Sequence, residues 1–92
     1  MTFAEEIEDA VGGAENITAI AISEDRGGNY EGPTRLMSWA EARRELNYNY
    51  DAGYGGQDCH DIYVWTSDRI YSIHEYDGST CIISVPRHPE YL

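Results

Sequence analysis

Apolar residues recur at helical spacing in two short segments, residues 3 to 11 and residues 39 to 46. Each segment follows a capping box, TFAE at residue 2 and SWAE at residue 38, so both segments are predicted to be helices. The apolar stripe consists of Phe3, Ile7, Ala10 and Val11 in the first helix and of Trp39, Ala42 and Leu46 in the second. The outer face of the first helix is acidic and carries Glu5, Glu6, Glu8 and Asp9.

Four further segments are rich in β-branched and aromatic residues and are predicted to be strands. They cover residues 17 to 23, 62 to 66, 69 to 76 and 80 to 85. The first is apolar on both faces, which is typical of a strand inside a sheet. The other three follow one another through short turns, and Asp77 with Gly78 is a strong signal for a type I′ hairpin turn. These three strands are therefore expected to form an antiparallel meander.

The predicted element order is α-β-α-β-β-β, which indicates an α+β domain. We expect two short helices on one face of a mainly antiparallel four-stranded sheet, with the other face meeting water or a partner. A length of 92 residues and a hydrophobic content of 41% suit one domain with one modest core, residues 1 to 92. No apolar run approaches the roughly 20 residues of a membrane span, and the acidic N-terminus is unlike a targeting signal. We therefore expect a cytoplasmic protein.

The charge balance changes the functional picture most. Seventeen Asp and Glu residues face six Lys and Arg, and the net charge is −11. Such a charge repels nucleic acids and anionic membranes, so direct binding to either is disfavoured. The favoured partner is a basic surface, such as that of a nucleic-acid-binding protein. The alternative is an acidic domain adapted to high salt that binds an unrelated protein or ligand.

The candidates for catalytic or metal chemistry are Cys59, His60 and His74. Zinc ligands are normally spaced two to four residues apart, whereas Cys59 and His60 are adjacent and point to opposite faces on entering a strand. We therefore expect no metal and no cofactor. A Cys–His dyad requires residues that meet in space, and an acidic surround raises the pKa of a thiol, so we expect no enzymatic activity. A small enzyme that uses Cys59 and His74 stays open as an alternative.

The loop over residues 47 to 58 is the strongest candidate for a binding site, because it is long and rich in tyrosine. Tyrosine is enriched at interfaces, and carboxylates at the rim of an interface steer a cationic partner. Together with the acidic face of the first helix, this loop and the start of the next strand supply the predicted partner-binding residues. They are Glu5, Glu6, Glu8, Asp9, Tyr48, Tyr50, Asp51, Tyr54, Asp58 and Asp61.

Rows of carboxylates can present negative charge at a density comparable to that of DNA, which carries one charge about every 1.7 Å of its axis. A short, strongly acidic chain without a catalytic motif resembles the small phage-encoded anti-CRISPR proteins that mimic DNA. The segment YDGSTCIISVPRHP, residues 76 to 89, is similar to the ends of small phage proteins. The resemblance implies a non-enzymatic inhibitor in the cytoplasm of an infected cell. Such an inhibitor binds the basic nucleic-acid-binding surface of a CRISPR effector or similar defence protein and blocks target-DNA binding or cleavage. The chain itself is expected to be a monomer or a homodimer, since an unpaired edge of the meander can support a dimer.

Overall fold

The computed structural model describes residues 1–27, 31–53 and 55–88. Its helices are α1 at Phe3–Val11 and α2 at Trp39–Glu45, with a 3-10 turn at Ala14–Asn16. Its strands are β1 at Ala19–Ile22, β2 at Arg35–Met37, β3 at Ile62–Trp65, β4 at Arg69–Tyr76 and β5 at Ser79–Pro86. All five strands form one antiparallel sheet in the order β2-β1-β3-β4-β5. Neither helix in the described part of the chain is long and apolar enough to cross a membrane.

The α+β class is confirmed, but the sheet has five strands rather than the four predicted. The additional strand, β2, is three residues long and pairs with β1 at the edge of the sheet, where Leu36 lies opposite Ala21 and Met37 opposite Ile20. Three residues are too few to show an alternating pattern, so periodicity carries no signal for this strand. Only its pairing with β1 makes the segment a strand.

Both helices begin where their capping boxes predict. The Thr2 hydroxyl accepts the backbone N–H of Glu5 at 3.2 Å, and the Glu5 carboxylate accepts the backbone N–H of Thr2 at 2.8 Å. In α2 the Ser38 hydroxyl accepts the backbone N–H of Glu41 at 3.2 Å. Caps of this kind contribute about 1 kcal/mol each. The first helix ends at Gly12, whose φ of 81° lies in the left-handed region that glycine adopts without strain.

The core lies between the two helices and one face of the sheet. The two interior strands β1 and β3 pair so that Ile20 lies opposite Val64 and Ile22 opposite Ile62, with all four side chains buried. The helices cover them with Phe3, Ile7, Ala42 and Leu46. Each of the larger side chains contributes roughly 1.5–3 kcal/mol by leaving water. The predicted apolar stripes of the two helices therefore meet in a single cluster, except for Ala10, which is exposed.

The predicted hairpin between β4 and β5 is present. Asp77 and Gly78 have φ angles of 52° and 85°, and both being positive is the requirement of a type I′ turn. The turn sets the register of the longest strand pair, from Tyr76 opposite Ser79 to Arg69 opposite Pro86.

The second face of the sheet carries neither helix, and we call it the open face. Alternate strand residues point to it, and its large apolar and aromatic members are Leu36, Tyr63, Trp65, Ile70, Tyr76, Ile83 and Val85. The rings of Tyr63 and Trp65 pack edge to face on this surface, with centroids 6.0 Å apart. None of the strand residues that point to the open face is Asp or Glu.

Candidate functional site

The loop at residues 47–53 and 55–61 folds against the start of α1. The Phe3 N–H donates to the Tyr48 carbonyl at 2.7 Å, and the Phe3 ring contacts the rings of Tyr48 and Tyr50 with centroids 6.0 and 5.1 Å apart. The acidic helix and the tyrosine-rich loop predicted as the binding region therefore lie side by side, although the two segments are more than thirty residues apart in the chain.

Tyr48 packs into this junction and organises the loop. Its hydroxyl accepts the backbone N–H of His60 at 2.9 Å and lies 2.8 Å from Nδ1 of the same residue. A hydroxyl has one hydrogen and two lone pairs, so towards Nδ1 it donates or accepts according to the tautomer of the imidazole. The Arg26 guanidinium lies over the face of the Tyr48 ring, 3.9 Å from the ring centroid. Burial raises the pKa of Tyr48 to about 12, so the phenol stays protonated.

Tyr50 also packs inward, against the core and the half-buried Glu6. Burial raises the pKa of Tyr50, and the nearby Glu6 carboxylate raises that pKa further. The structure thus gives Tyr48 and Tyr50 a role in packing the loop, whereas the sequence interpretation places them at an exposed contact surface. Tyr54 lies outside the described residues.

The three aspartates of the loop form hydrogen bonds within it. Asp58 pairs with Arg26 at 3.1 Å and accepts the backbone N–H of Asp51 at 3.3 Å. The Asp51 carboxylate accepts the backbone N–H of Gly53 at 2.9 Å, and this hydrogen bond closes a local turn. Asp61 accepts a hydrogen bond from the Gln57 amide at 2.9 Å. Asp51 and Asp58 nevertheless remain exposed to solvent, whereas Asp61 is half-buried.

The four carboxylates of α1 differ in their surroundings. Glu8 joins the two helices, accepting from the Trp39 indole at 3.1 Å and from the Arg43 guanidinium at 3.2 Å. Glu5 is exposed, and the hydrogen bond from the N-cap backbone holds its pKa below the usual value. Asp9 is exposed as well, while Glu6 is half-buried.

The predicted acidic residues therefore divide into two groups. Glu6, Glu8 and Asp61 are half-buried and form part of the internal packing. The other four are exposed on neighbouring elements, and we call them the acidic surface. They are Glu5, Asp9, Asp51 and Asp58.

The residues considered for nucleophilic chemistry do not meet. Cys59 is fully buried in the helix-side core, and burial raises the pKa of its thiol to about 12. His74 lies on the open face, opposite Cys81 of the neighbouring strand, so the sheet separates it from Cys59. His60 is bonded to Tyr48. Within the described residues, no three His, Cys, Asp or Glu side chains are grouped closely enough to hold a metal ion.

The sequence predicts that the second face of the sheet meets water or a partner, but none of the predicted partner-binding residues that the structure describes belongs to the strands of this open face. A shallow groove of about 580 Å³ lies at its β2 side and is lined by Thr18, Ala19, Leu36, Trp65 and Arg87. The sequence signal that indicates this face is the composition of β5. Its adjacent residues Ile82 and Ile83 point to opposite faces of the sheet, so both faces are apolar there. A strand with one solvated face normally alternates apolar with polar residues.

No family model matches the chain, and no curated protein or solved structure is detectably similar to it. Its function is therefore inferred from its own residues, and the acidic surface and the open face are the two features that bear on it.

Proposed function

We propose that this protein is a non-enzymatic acidic inhibitor that occupies the basic nucleic-acid-binding surface of a partner protein. The partner class is a CRISPR effector or a similar defence protein, and the site of action is the cytoplasm of an infected cell. The observation that supports the proposal best is the distribution of charge. Four exposed carboxylates lie on α1 and the adjoining loop, and further exposed carboxylates are spread over the other described segments, whereas the open face of the sheet has no Asp or Glu among its strand residues.

Few of these carboxylates are neutralised within the molecule. The ion pairs among the described residues engage Glu8, Glu24, Glu45 and Asp58. With seventeen acidic residues in the chain, most of the negative charge remains to act on a partner. Such a field raises the association rate with a basic surface by about 10- to 1,000-fold, and salt reduces this effect. The Debye length of about 8 Å at physiological ionic strength limits the attraction to surfaces that approach closely.

Carboxylates suit a groove built for phosphates, because arginine binds both groups through paired N–H donors. Asp51 and Asp58 are held by hydrogen bonds to the loop backbone and to Arg26, so they are already oriented before a partner arrives. Orientation in advance reduces the entropy lost on binding. A partner groove filled in this way is closed to DNA, and inhibition is stoichiometric.

The first test is capture of partners from host lysate with the tagged protein at about 0.1 M and about 0.5 M salt, followed by competition with DNA. Screening weakens a complex held by charge between these two concentrations. We expect a nucleic-acid-binding protein to be recovered mainly at low salt. We also expect that protein to lose its DNA binding when the inhibitor is added at equal concentration. A partner that binds DNA equally well with the inhibitor present contradicts the proposal.

Matched variants then locate the contact. The test variant carries Glu5→Gln, Asp9→Asn and Asp51→Asn, which preserve the capping box and the local turn while removing three charges. The control removes three exposed charges elsewhere, through Glu15→Gln, Glu41→Gln and Asp68→Asn. We expect the test variant to inhibit at least about tenfold less than the control, since each close charge pair contributes on the order of 1.5 kcal/mol or more. Equal inhibition by wild type and test variant would exclude the acidic surface as the contact.

A further inference from the structure

The open face exposes several large apolar side chains. Leu36 is 72% exposed, Val85 53% and Tyr63 44%, and these side chains lie on the edge and interior strands of the same sheet. Monomeric proteins rarely expose contiguous apolar patches of more than a few hundred Å², and larger ones mark interaction sites. The face is therefore expected to be covered by a partner in solution.

The charge of the molecule restricts what that partner is. Two copies of a chain with a net charge of −11 repel each other in most orientations. They can approach through the open face, whose strand residues include no Asp or Glu and whose groove is lined in part by Arg87. Facing sheets pack about 10 Å apart and each helix adds a layer about 10 Å thick, so the acidic helices then lie well beyond the Debye length of about 8 Å.

We infer that the open face is the interface through which two copies of this chain form a face-to-face dimer. The occupant is a second copy because the surface complements itself. Val85, Ile70, Trp65 and Ala19 are paired across the sheet in one row. A two-fold axis parallel to the strands and lying between the two sheets places β5 of one copy over β1 and β2 of the other. Residues of this row then keep the same position along the strand direction in both copies. The exposed Val85 then faces the groove beside Trp65 and Leu36 of the second copy.

The area of the face indicates a small interface. The five strands contain 27 residues, and at about 4.8 Å between strands and about 3.4 Å per residue their flat footprint is roughly 440 Å². The accessible area exceeds this footprint, because side chains project from it. A standard interface takes about 800 Å² of accessible surface from each partner, so we expect a weak dimer.

The inferred dimer does not depend on the proposed inhibitor function. The two are distinguished experimentally by their opposite dependence on salt. Screening weakens binding to a basic partner but relieves repulsion between two acidic copies, so the dimer is expected to tighten as salt increases. Sedimentation equilibrium over micromolar to millimolar chain, at about 0.1 M and about 0.5 M salt, measures this directly. A monomer under all of these conditions would overturn the inference and leave the inhibitor proposal standing.

Paired variants test whether the open face is the interface. Ile83→Glu with Val85→Glu adds two charges to the open face, and Ala10→Glu with Ala40→Glu adds two charges to exposed positions on the helices. The open-face pair is expected to raise the dimer dissociation constant by about tenfold or more, since like charges then meet across the interface. The helix pair is expected to leave it nearly unchanged. A dimer that tolerates the open-face pair would place the interface elsewhere.

If the Ile83→Glu, Val85→Glu double variant does not fold, a measurement on the wild-type chain tests the same interface. Cys81 is exposed on the open face, whereas Cys59 is buried in the core, so a thiol reagent reports on Cys81. Its reaction rate is expected to fall with increasing chain concentration in parallel with dimer formation. A Cys81 rate that stays constant while the dimer forms would contradict the assignment of the face.

Discussion

The hydroxyl of Tyr48 bonds to His60 twice, accepting its backbone N–H at 2.9 Å and forming a second hydrogen bond with its Nδ1 at 2.8 Å. This pair ties the start of the tyrosine-rich loop to its end, twelve residues later in the chain. The loop is thus held at both ends by a partly buried contact, while Asp51 and Asp58 between them stay exposed. A long irregular loop can in this way present carboxylates in a fixed arrangement.

Tyr48→Phe is expected to destabilise the fold by about 1–3 kcal/mol, because it leaves the His60 N–H and Nδ1 without their partner. Urea unfolding followed by circular dichroism measures the change. Tyr63→Phe is the matched control, since Tyr63 is partly exposed on the open face, and it should change stability by less than about 0.5 kcal/mol. Equal effects of the two changes would show that the Tyr48 hydroxyl adds nothing.

The neutral state of His60 makes stability depend on pH. Burial lowers the pKa of His60, and the nearby Arg26 lowers it further, while Glu45 opposes them. The folded state therefore binds fewer protons at this residue than the unfolded state, whose pKa is about 6.5. The stability from neutral His60 is fully present above that value and is lost as the pH falls towards the lowered folded pKa.

Urea midpoints at pH of about 7 and about 5.5 for wild type and His60→Gln test this dependence. The carboxylates titrate in both proteins, so the difference between the two proteins isolates His60. Wild type is expected to lose more stability than the variant on acidification. The same loss in both would mean that His60 does not carry the effect.

Gly78→Ala is expected to destabilise the protein by about 1 kcal/mol, because the φ of 85° at this position is strained for any residue with a Cβ. Asp77→Asn is the control in the same turn. Asparagine tolerates the left-handed region, so this change should be nearly neutral. Thermal unfolding of both variants measures the difference, and a reversed order would contradict the type I′ geometry.

Cys59 is expected to resist modification in the folded protein, because it is buried and its thiol pKa is raised to about 12. Mass spectrometry after brief exposure to a maleimide should find Cys81 modified and Cys59 intact. In urea both residues should react. Rapid modification of Cys59 under native conditions would reopen a chemical role for this residue.

The protein is expected to keep its circular-dichroism spectrum in dilute buffer. Its four ion pairs among the described residues and its capped helices do not require high salt, and the acidic surface is exposed rather than buried. A domain adapted to high salt should instead unfold as salt is removed, since repulsion between its carboxylates is then unscreened. Loss of signal in dilute buffer would favour that alternative.

Local chemistry determined much of the fold from the sequence alone. The capping boxes at Thr2 and Ser38 placed both helix starts, because a cap depends on residues within one turn. Asp77 with Gly78 placed the hairpin, because the turn type depends on the two central residues. The acidic character of α1 was likewise readable from its own residues.

Contacts between distant segments decided the rest. β2 is a strand only through its pairing with β1, and Tyr48 is a packing residue only because Phe3 and His60 lie beside it. The surroundings of a charged group also depend on tertiary contacts. The sequence shows that Glu8 carries a carboxylate, but only the structure shows that Arg43 and Trp39 donate hydrogen bonds to it. The apolar open face arises because pairing aligns alternate residues of five strands on one side. Burial and pairing depend on three-dimensional neighbours, which no local pattern contains.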